Sequence, residues 1–406
     1  QNTFRGTGYR DDSFVERYEV LKGPASITSG PVGGGGIINT VTKSPETERF
    51  TTLKVRADEF GSQAYEFDAN IGELDGSDTA LIRVSGAYRD YDFDAKPADR
   101  QNLAIRPVVT INLTDSTKIK ASVAYTENKG TPNTGLPINE DGSIPDNYDT
   151  DTFGGAKNAD VDVTDTLYDL ELSHEFLDGL KLTLRGSRQE TDLEYKNANS
   201  LYNYYVYDYY YPGYGTYQYY YGVSADDPRG ELYSWSDASN AVAVSEFYDM
   251  QLSYSFDAWG LQQDFAFGVA KANTDLTWDI AYPADSLTGP LALNNPTALS
   301  ENFSDYQPFR SFETELESVY FESAIRPTQG LAIVAGLRYD DLYDFQDYGR
   351  YTVEFDDSAL TARLGVSYEI MEELTIYQSY AQGFLPQFGQ RRSSEGVEAE
   401  TSESFE

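Results

Sequence analysis

From about residue 51 onward the chain alternates apolar and polar positions with a period of two. Ala80, Ile82, Val84, Gly86 and Tyr88 interleave with Leu81, Arg83, Ser85, Ala87 and Arg89, and Ile119, Ala121, Val123 and Tyr125 with Lys118, Lys120, Ser122 and Ala124. The same beat returns in Leu331, Ile333, Ala335, Leu337 and Tyr339, and again in Leu360, Ala362, Leu364, Val366, Tyr368 and Ile370. Such a pattern predicts β-strands with one apolar and one polar face. The chain carries about thirteen of them, with a fourteenth starting at its C-terminus.

The connections between these strands alternate in length. Short polar turns fall near residues 74–78, 113–117, 177–180, 257–262, 327–330 and 371–374, and longer segments near 94–101, 129–164, 196–241, 280–309, 346–358 and 386–399. A soluble sandwich has no reason to keep its long loops on one side. A transmembrane antiparallel β-barrel does, with short turns at one rim, long loops at the other, an apolar face toward lipid and a polar face toward the lumen. The expected fold class is therefore all-β, with residues 49–406 as barrel. Residues 1–48 differ: they hold Gly23, Gly30, Gly33, Gly34, Gly35 and Gly36 and short β-branched runs such as Ile37–Val41. They read as a small separate unit ahead of the barrel, joined to it near Ser44 and Pro45.

Composition removes several function classes. With 67 acidic against 30 basic residues, the net charge of −37 argues against nucleic acid, because Lys and Arg neutralising phosphate supply most of that affinity. There is no cysteine, which leaves no thiolate site, and the one histidine, His174, leaves little for a catalytic triad or an imidazole metal site. No stretch reaches the roughly 18 apolar residues that a membrane-spanning helix needs. The sequence opens at Gln1 without the charged-then-apolar pattern of a signal peptide. Asp160, Asp162, Thr164 and Glu171 have part of an EF-hand spacing, but Asp165 stands where the loop requires glycine. Gly33–Gly36 is not followed by the Lys-Ser/Thr of a phosphate loop. His174 shares an apolar face with Tyr168, Leu170 and Leu172 beside a short turn, a place at the lipid–water boundary.

The run Phe14–Lys43, FVERYEVLKGPASITSGPVGGGGIINTVTK, resembles the plug domain of TonB-dependent outer-membrane receptors, whose pattern is close to VERIEVL[KR]GPxS, a glycine turn, then GG[VI]IN[IL]VTK. Tyr18, Thr28 and Ser29 depart from it. Asn2–Arg10 resembles the plug segment before that motif in ferric-siderophore receptors, Ala104–Thr110 (AIRPVVT) their fourth barrel strand, and Tyr377–Gln387 (YQSYAQGFLPQ) a segment common among them. Haem receptors carry a histidine near that last segment, and this chain has none there.

The resemblance implies a plug inside a barrel of about 22 strands, with residues 1–48 as the C-terminal part of an α+β plug in the lumen. It implies an internal piece of such a receptor, lacking the TonB-contacting N-terminus and the closing strands. The implied activity is import of a ferric siderophore energised by TonB, by a carrier that is not an enzyme and holds no cofactor of its own, since the iron belongs to the cargo. The implied location is the bacterial outer membrane, as a monomeric barrel in contact with lipid and lipopolysaccharide. Cobalamin, haem or a saccharide is the alternative cargo, and a passive porin or adhesin the alternative class.

Residue by residue, the resemblance places Glu16, Arg17 and Lys22 in contacts that lock the plug to the barrel wall, with Glu406 as a partner. Lys22, where relatives often carry Arg, gives a single-point contact and a weaker lock. Ligand-binding candidates are Arg5 and Arg10 ahead of the plug motif, and Gln382, Phe384 and Gln387 on the cavity wall. Tyr205, Tyr207, Tyr210 and Tyr214 join them from a stretch with twelve tyrosines between Leu201 and Gly222, a residue suited to recognition because it is rigid and amphipathic. Carboxylates such as Glu140, Asp141, Asp146 and Asp149 collect in one long loop. An acidic mouth of this kind disfavours strongly anionic chelates.

Overall fold

The computed structural model describes residues 11–23, 30–31, 35–74, 79–93, 99–131, 143–144, 159–199, 204–211, 215–222, 231–232, 235–258, 260–282, 291–292, 303–328, 330–386 and 399–406. One antiparallel sheet dominates it. Its strands are β3 (Phe50–Ala57), β4 (Gln63–Glu73), β5 (Ala80–Asp92), β6 (Asp99–Thr114), β7 (Thr117–Gly130), β8 (Asp160–Leu177) and β9 (Leu180–Asn199). They continue with β13 (Trp235–Ala258), β14 (Leu261–Ala281), β16 (Gln307–Thr328), β17 (Leu331–Asp347), β18 (Thr352–Met371), β19 (Leu374–Leu385) and β20 (Glu400–Phe405). Each pairs with its sequence neighbours, giving a 14-stranded up-and-down sheet with β3 and β20 at its edges. AIRPVVT lies on the fourth strand, β6.

The earlier unit consists of a 3₁₀ turn, Asp12–Phe14, and the hairpin β1 (Val15–Lys22) with β2 (Gly36–Thr42). Gly36 opens β2 opposite Lys22 at φ +110°, and a Cβ there would stand 2.2 Å from the Leu21 carbonyl oxygen. Only glycine fits that close approach. Two further pairings are small: β10 (Tyr204–Tyr211) with β11 (Gly215–Gly222), and β12 (Glu231–Leu232) with β15 (Leu291–Ala292).

Every turn on one rim is tight, at 115–116, 178–179, 259–260, 329–330 and 372–373, apart from the 74–79 connection. The other rim carries the long connections 131–159, 200–234, 282–306 and 386–399. Two segments expected to be long are short, because β5 and β6 come within 93–98 and β17 and β18 within 348–351. On β17 and β18 the outward positions above the apolar band turn polar (Asp341, Tyr343, Asp356, Glu354), so the hydrophobic alternation ends before the strands do. The hydrogen-bonded ladder continues past that point.

The two faces differ as a barrel requires. Outward Leu103, Ile105, Leu170, Leu360 and Leu364 are exposed, whereas inward Arg83, Ser85, Arg89, Asn102, Arg106 and Thr110 are buried. The hairpin lies against that polar inner face. Its base touches β4–β6, while Lys22 and Gly23 at its tip share a cavity with Arg363 on β18, Ser379 on β19 and Ser404 on β20. The sheet therefore curls around the hairpin. His174 sits beside the 178–179 turn, bonded through Nδ1 to Thr117 Oγ1 at 2.8 Å and edge-on to Phe176.

Candidate functional site

Three arginines on the inner face of β5 and β6 gather the hairpin unit onto the wall. Alternation aims Arg83, Arg89 and Arg106 inward, and all three are buried. A guanidinium removed from water must find several acceptors, and each of these finds them on residues 11–46.

Arg89 pairs with both carboxylate oxygens of Asp11, the fully buried cap of the 3₁₀ turn, whose Oδ1 also accepts from Ser13 N at 2.8 Å. It donates further to Asn102 at 2.7 Å and Glu66 at 3.2 Å, and Asn102 passes the chain of bonds to Asn128 at 2.9 Å. Arg83 forms a two-point contact with Asp68, both bonds 2.9 Å. Its remaining hydrogens reach Ser44 O at 2.9 Å, Glu46 at 3.1 Å and Glu16 at 3.2 Å. Arg106 donates to Lys43 O at 2.9 Å, and Lys43 Nζ in turn stands 2.8 Å from Asp68. Asn70 straps the linker by accepting from Glu46 N at 3.1 Å and donating to the carbonyls of Glu46 and Glu48. Between these polar ties Phe14 is buried against Ala104, Ala124 and Leu167.

The structure distributes the sequence candidates unevenly. Glu16 reaches the wall through Arg83. Arg17 turns instead along the hairpin's exposed face to Glu19, 2.6 Å away. Glu19 also accepts from Asn39 at 2.9 Å; that bond first, and the Arg17 contact second, hold its carboxyl below the usual carboxylate range. Lys22 and Glu406 line the same cavity, and Glu406 Oε1 is 3.6 Å from where a Cβ on Gly23 would stand. Gln382 bonds to Ala362 N at 3.1 Å and Glu403 at 3.3 Å, and Phe384 is buried. Tyr205 and Tyr207 lie on β10 opposite Tyr221 and Tyr219, and Tyr210 opposite Thr216. Arg5, Arg10, Tyr214 and Gln387 lie outside the described residues.

Sequence reasoning missed Asp11, Lys43, Glu46, Asp68, Arg83, Arg89 and Arg106 as a group. The available signal was scarcity: in so acidic a chain, two arginines six positions apart on one strand face are costly unless something anionic meets them.

A second network runs along the inner wall away from the hairpin. Arg185 contacts Glu171 at 3.2 Å and Asp249 at 3.0 Å, and Tyr320 OH donates to Asp249 at 2.7 Å. Tyr320 on β16 reaches β13 only by lying over Gly268 of β14, where a Cβ would stand 2.2 Å from the ring's Cζ. Arg338 stacks on the Tyr320 ring at 5.6 Å and bonds to the fully buried Asp340 at 2.8 and 3.0 Å.

Residues 104–406 match the family model described as TonB dependent receptor-like, beta-barrel. Among curated proteins the chain is similar to the ferrichrome outer membrane transporter/phage receptor of Escherichia coli K12, 25% identical over 95% of this chain and 52% of that protein. It is also similar to the probable TonB-dependent siderophore receptor PiuA of Acinetobacter baumannii, 24% identical over 92% of this chain and 51% of that protein. The chain thus spans about half the length of these relatives. Among solved structures, the ferripyoverdine receptor of the Pseudomonas aeruginosa outer membrane superposes with a TM-score of 0.82 at 17% identity, covering 100% of this chain and 52% of that one.

Proposed function

Because the chain belongs to the family of TonB-dependent receptor-like β-barrels, whose members are transporters and receptors, we propose that it works in the bacterial outer membrane as an importer of a ferric siderophore, energised by TonB. Residues 1–48 serve as the C-terminal part of the plug and 49–406 as barrel, facing lipid and lipopolysaccharide as a monomer. Iron arrives within the cargo, and the protein supplies no chemistry of its own to it.

One observation carries the reading: the plug unit is tied to the lumen wall by charge pairs rather than by a continuous apolar core. Asp11, Glu16, Lys43 and Glu46 meet Arg83, Arg89 and Asp68 across the interface. A dry apolar interface resists opening at every point, whereas ion pairs lining a wet lumen can exchange for water one at a time. Tension applied to the chain ahead of Asp11 loads the Asp11–Arg89 pair and the 3₁₀ turn first, and the Glu16–Arg83 pair next. The unit peels from β5 while the barrel ladder, which the load does not reach directly, stays paired.

The test is uptake of radiolabelled iron by the host under iron limitation, with the intact gene, with a deletion, and with TonB removed. The reading requires uptake that needs both the gene and TonB. Equal growth and uptake in all three strains would overturn it.

A further inference from the structure

On the outward face of the sheet, two cross-strand rows enclose a trough where the apolar band gives way to polar residues. The lower row runs Met250, Val269, Val319 and Tyr339 across β13, β14, β16 and β17. The upper row runs Tyr248, Lys271, Glu317 and Asp341 across the same strands. The trough between them encloses about 610 Å³ and is roughly 14 Å long, at about 4.8 Å from strand to strand. Each strand that lines it is paired on both sides. Any further strand therefore joins at the β3 or β20 edge, and any further plug segment lies on the opposite face, so the exposure of the trough belongs to the wall itself.

An occupant of this trough must be apolar on one side and polar on the other, as a membrane lipid is where chain meets headgroup. The upper rim sets the charge it must bring. Lys271 Nζ is held by Glu317 at 3.1 Å and Glu315 at 3.3 Å, so its charge is already matched. Asp341 stands directly opposite Glu317 on the neighbouring strand, and among the described residues it is in no ion pair. Like charges facing each other across adjacent strands repel. Elsewhere on this face a carboxylate meets a cation on the next strand, as Glu246 meets Arg188 at 2.6 Å. The Tyr248 ring lies toward Gly186 of β9, 3.6 Å from where a Cβ there would stand, and so leans off the trough and leaves it open.

We propose that the trough holds a lipid whose headgroup carries a primary amine, with the ammonium between Glu317 and Asp341 and an acyl chain along Met250, Val269 and Val319. An ammonium, with three hydrogens to donate, satisfies both carboxylates and ends their repulsion. A headgroup with phosphate alone would add a further negative charge to the rim. Tyr248 and Tyr339, at opposite ends of the trough, are of the residue type that settles at headgroup level. The proposal rests on the membrane reading of the barrel and adds a lipid preference at a fixed place on its wall.

The experiment purifies the full-length receptor in mild detergent, offers it phosphatidylethanolamine and phosphatidylglycerol with matched acyl chains in equal amounts, and reads the retained lipid by native mass spectrometry. The wild type is expected to retain phosphatidylethanolamine over phosphatidylglycerol by at least about fivefold. Glu317→Gln with Asp341→Asn is expected to bring that preference to within about twofold. Val319→Trp, which fills the trough and leaves both carboxylates in place, is expected to lower retention of both lipids. The wild-type competition needs no variant to fold, and gel mobility before and after heating reports whether each variant barrel is intact. Equal or greater retention of phosphatidylglycerol by the wild type, a preference that survives the double substitution, or retention unchanged in Val319→Trp would overturn the assignment and leave the membrane reading standing. So would phosphatidylglycerol held only with a divalent cation and lost on chelation, since the rim would then bridge anions through metal. If the receptor stays monodisperse without detergent and retains no lipid, the membrane reading fails and takes this assignment with it.

Discussion

The two partners of the Asp11–Arg89 pair are not equivalent, and removing one should cost more than removing the other. Asp11 is fully buried, and among the described residues its carboxylate has only Arg89 and Ser13 N as partners. Arg89 keeps Glu66 and Asn102 when Asp11 is lost. Arg89→Gln therefore leaves an uncompensated buried carboxylate, at a cost of about 3–5 kcal/mol for the bound state of the hairpin unit. Asp11→Asn retains the cap bond to Ser13 and leaves the guanidinium with Glu66, so about 1–2 kcal/mol is expected. The difference, about 1–4 kcal/mol, amounts to about fivefold or more in the opening equilibrium, since about 1.4 kcal/mol is a factor of ten. Hydrogen exchange measured by mass spectrometry on the full-length receptor reads it directly, in peptides covering 11–23 and the Lys43 amide, which donates to Phe14 O at 2.8 Å. Exchange should accelerate by about 100-fold or more in Arg89→Gln and by about tenfold in Asp11→Asn, with β13–β16 unchanged. Equal acceleration in the two variants, or less than about threefold in both, would refute the reasoning.

Three further outcomes follow from the same geometry. Gly268→Ala should push Tyr320 off Asp249 and lower barrel stability by about 1–3 kcal/mol, read as a lower temperature for the heat-induced gel shift; adding Tyr320→Ala should recover part of the loss. Arg338→Ala should cost about 3–5 kcal/mol in urea unfolding of the barrel, because fully buried Asp340 would keep, among the described residues, only the Ser318 hydroxyl at 2.7 Å. Glu19 has a lowered pKa from Asn39 and then Arg17. Its contribution to the hairpin is present above the unfolded carboxylate value and is lost as pH falls through the lower folded one. Exchange across β1–β2 should therefore rise on acidification in the wild type and less so in Glu19→Gln; identical pH profiles would remove Glu19 from the account.

The barrel was legible in the sequence to the extent that lipid dictates it. Wherever one face meets hydrocarbon, as at Ile82 and Val84 or Leu364 and Val366, alternation marks strand and orientation together, because a shift of one residue would turn arginines toward lipid. Beyond the apolar band both faces meet water, and the period fades although the ladder continues. That is why the connections 93–98 and 348–351 proved to be shorter than the pattern predicts. The plug motif marked the hairpin, but only part of its attachment. Glu16 is in the motif and Arg83 is 67 positions away; a pairing of that span has no local spacing to announce it. Arg17 shows the converse, since its place in the motif says that a charge is wanted but not whether it turns to the wall or to Glu19.

Net charge is a poor guide to what such a protein binds, and the reason lies in the same alternation. A strand of period two sorts its residues onto two surfaces separated by the barrel wall, so summing them mixes different fields. On β16–β18 the outward rows above the apolar band hold Glu313, Glu315, Glu317, Asp341, Glu354 and Asp356, with Lys271 of β14 bonded to Glu315 and Glu317 at 3.3 and 3.1 Å. These contribute to the −37 without facing the lumen at all. On β3–β6 the inward rows hold Lys54, Arg56, Arg83, Arg89, Arg100 and Arg106, and it is there that the hairpin unit is held. Charge sorted by face, strand by strand, therefore carries the functional information that the total conceals. Exchanging charges on the outward rows should leave hydrogen exchange in residues 11–23 untouched, while the same exchange at Arg83 and Arg89 should not.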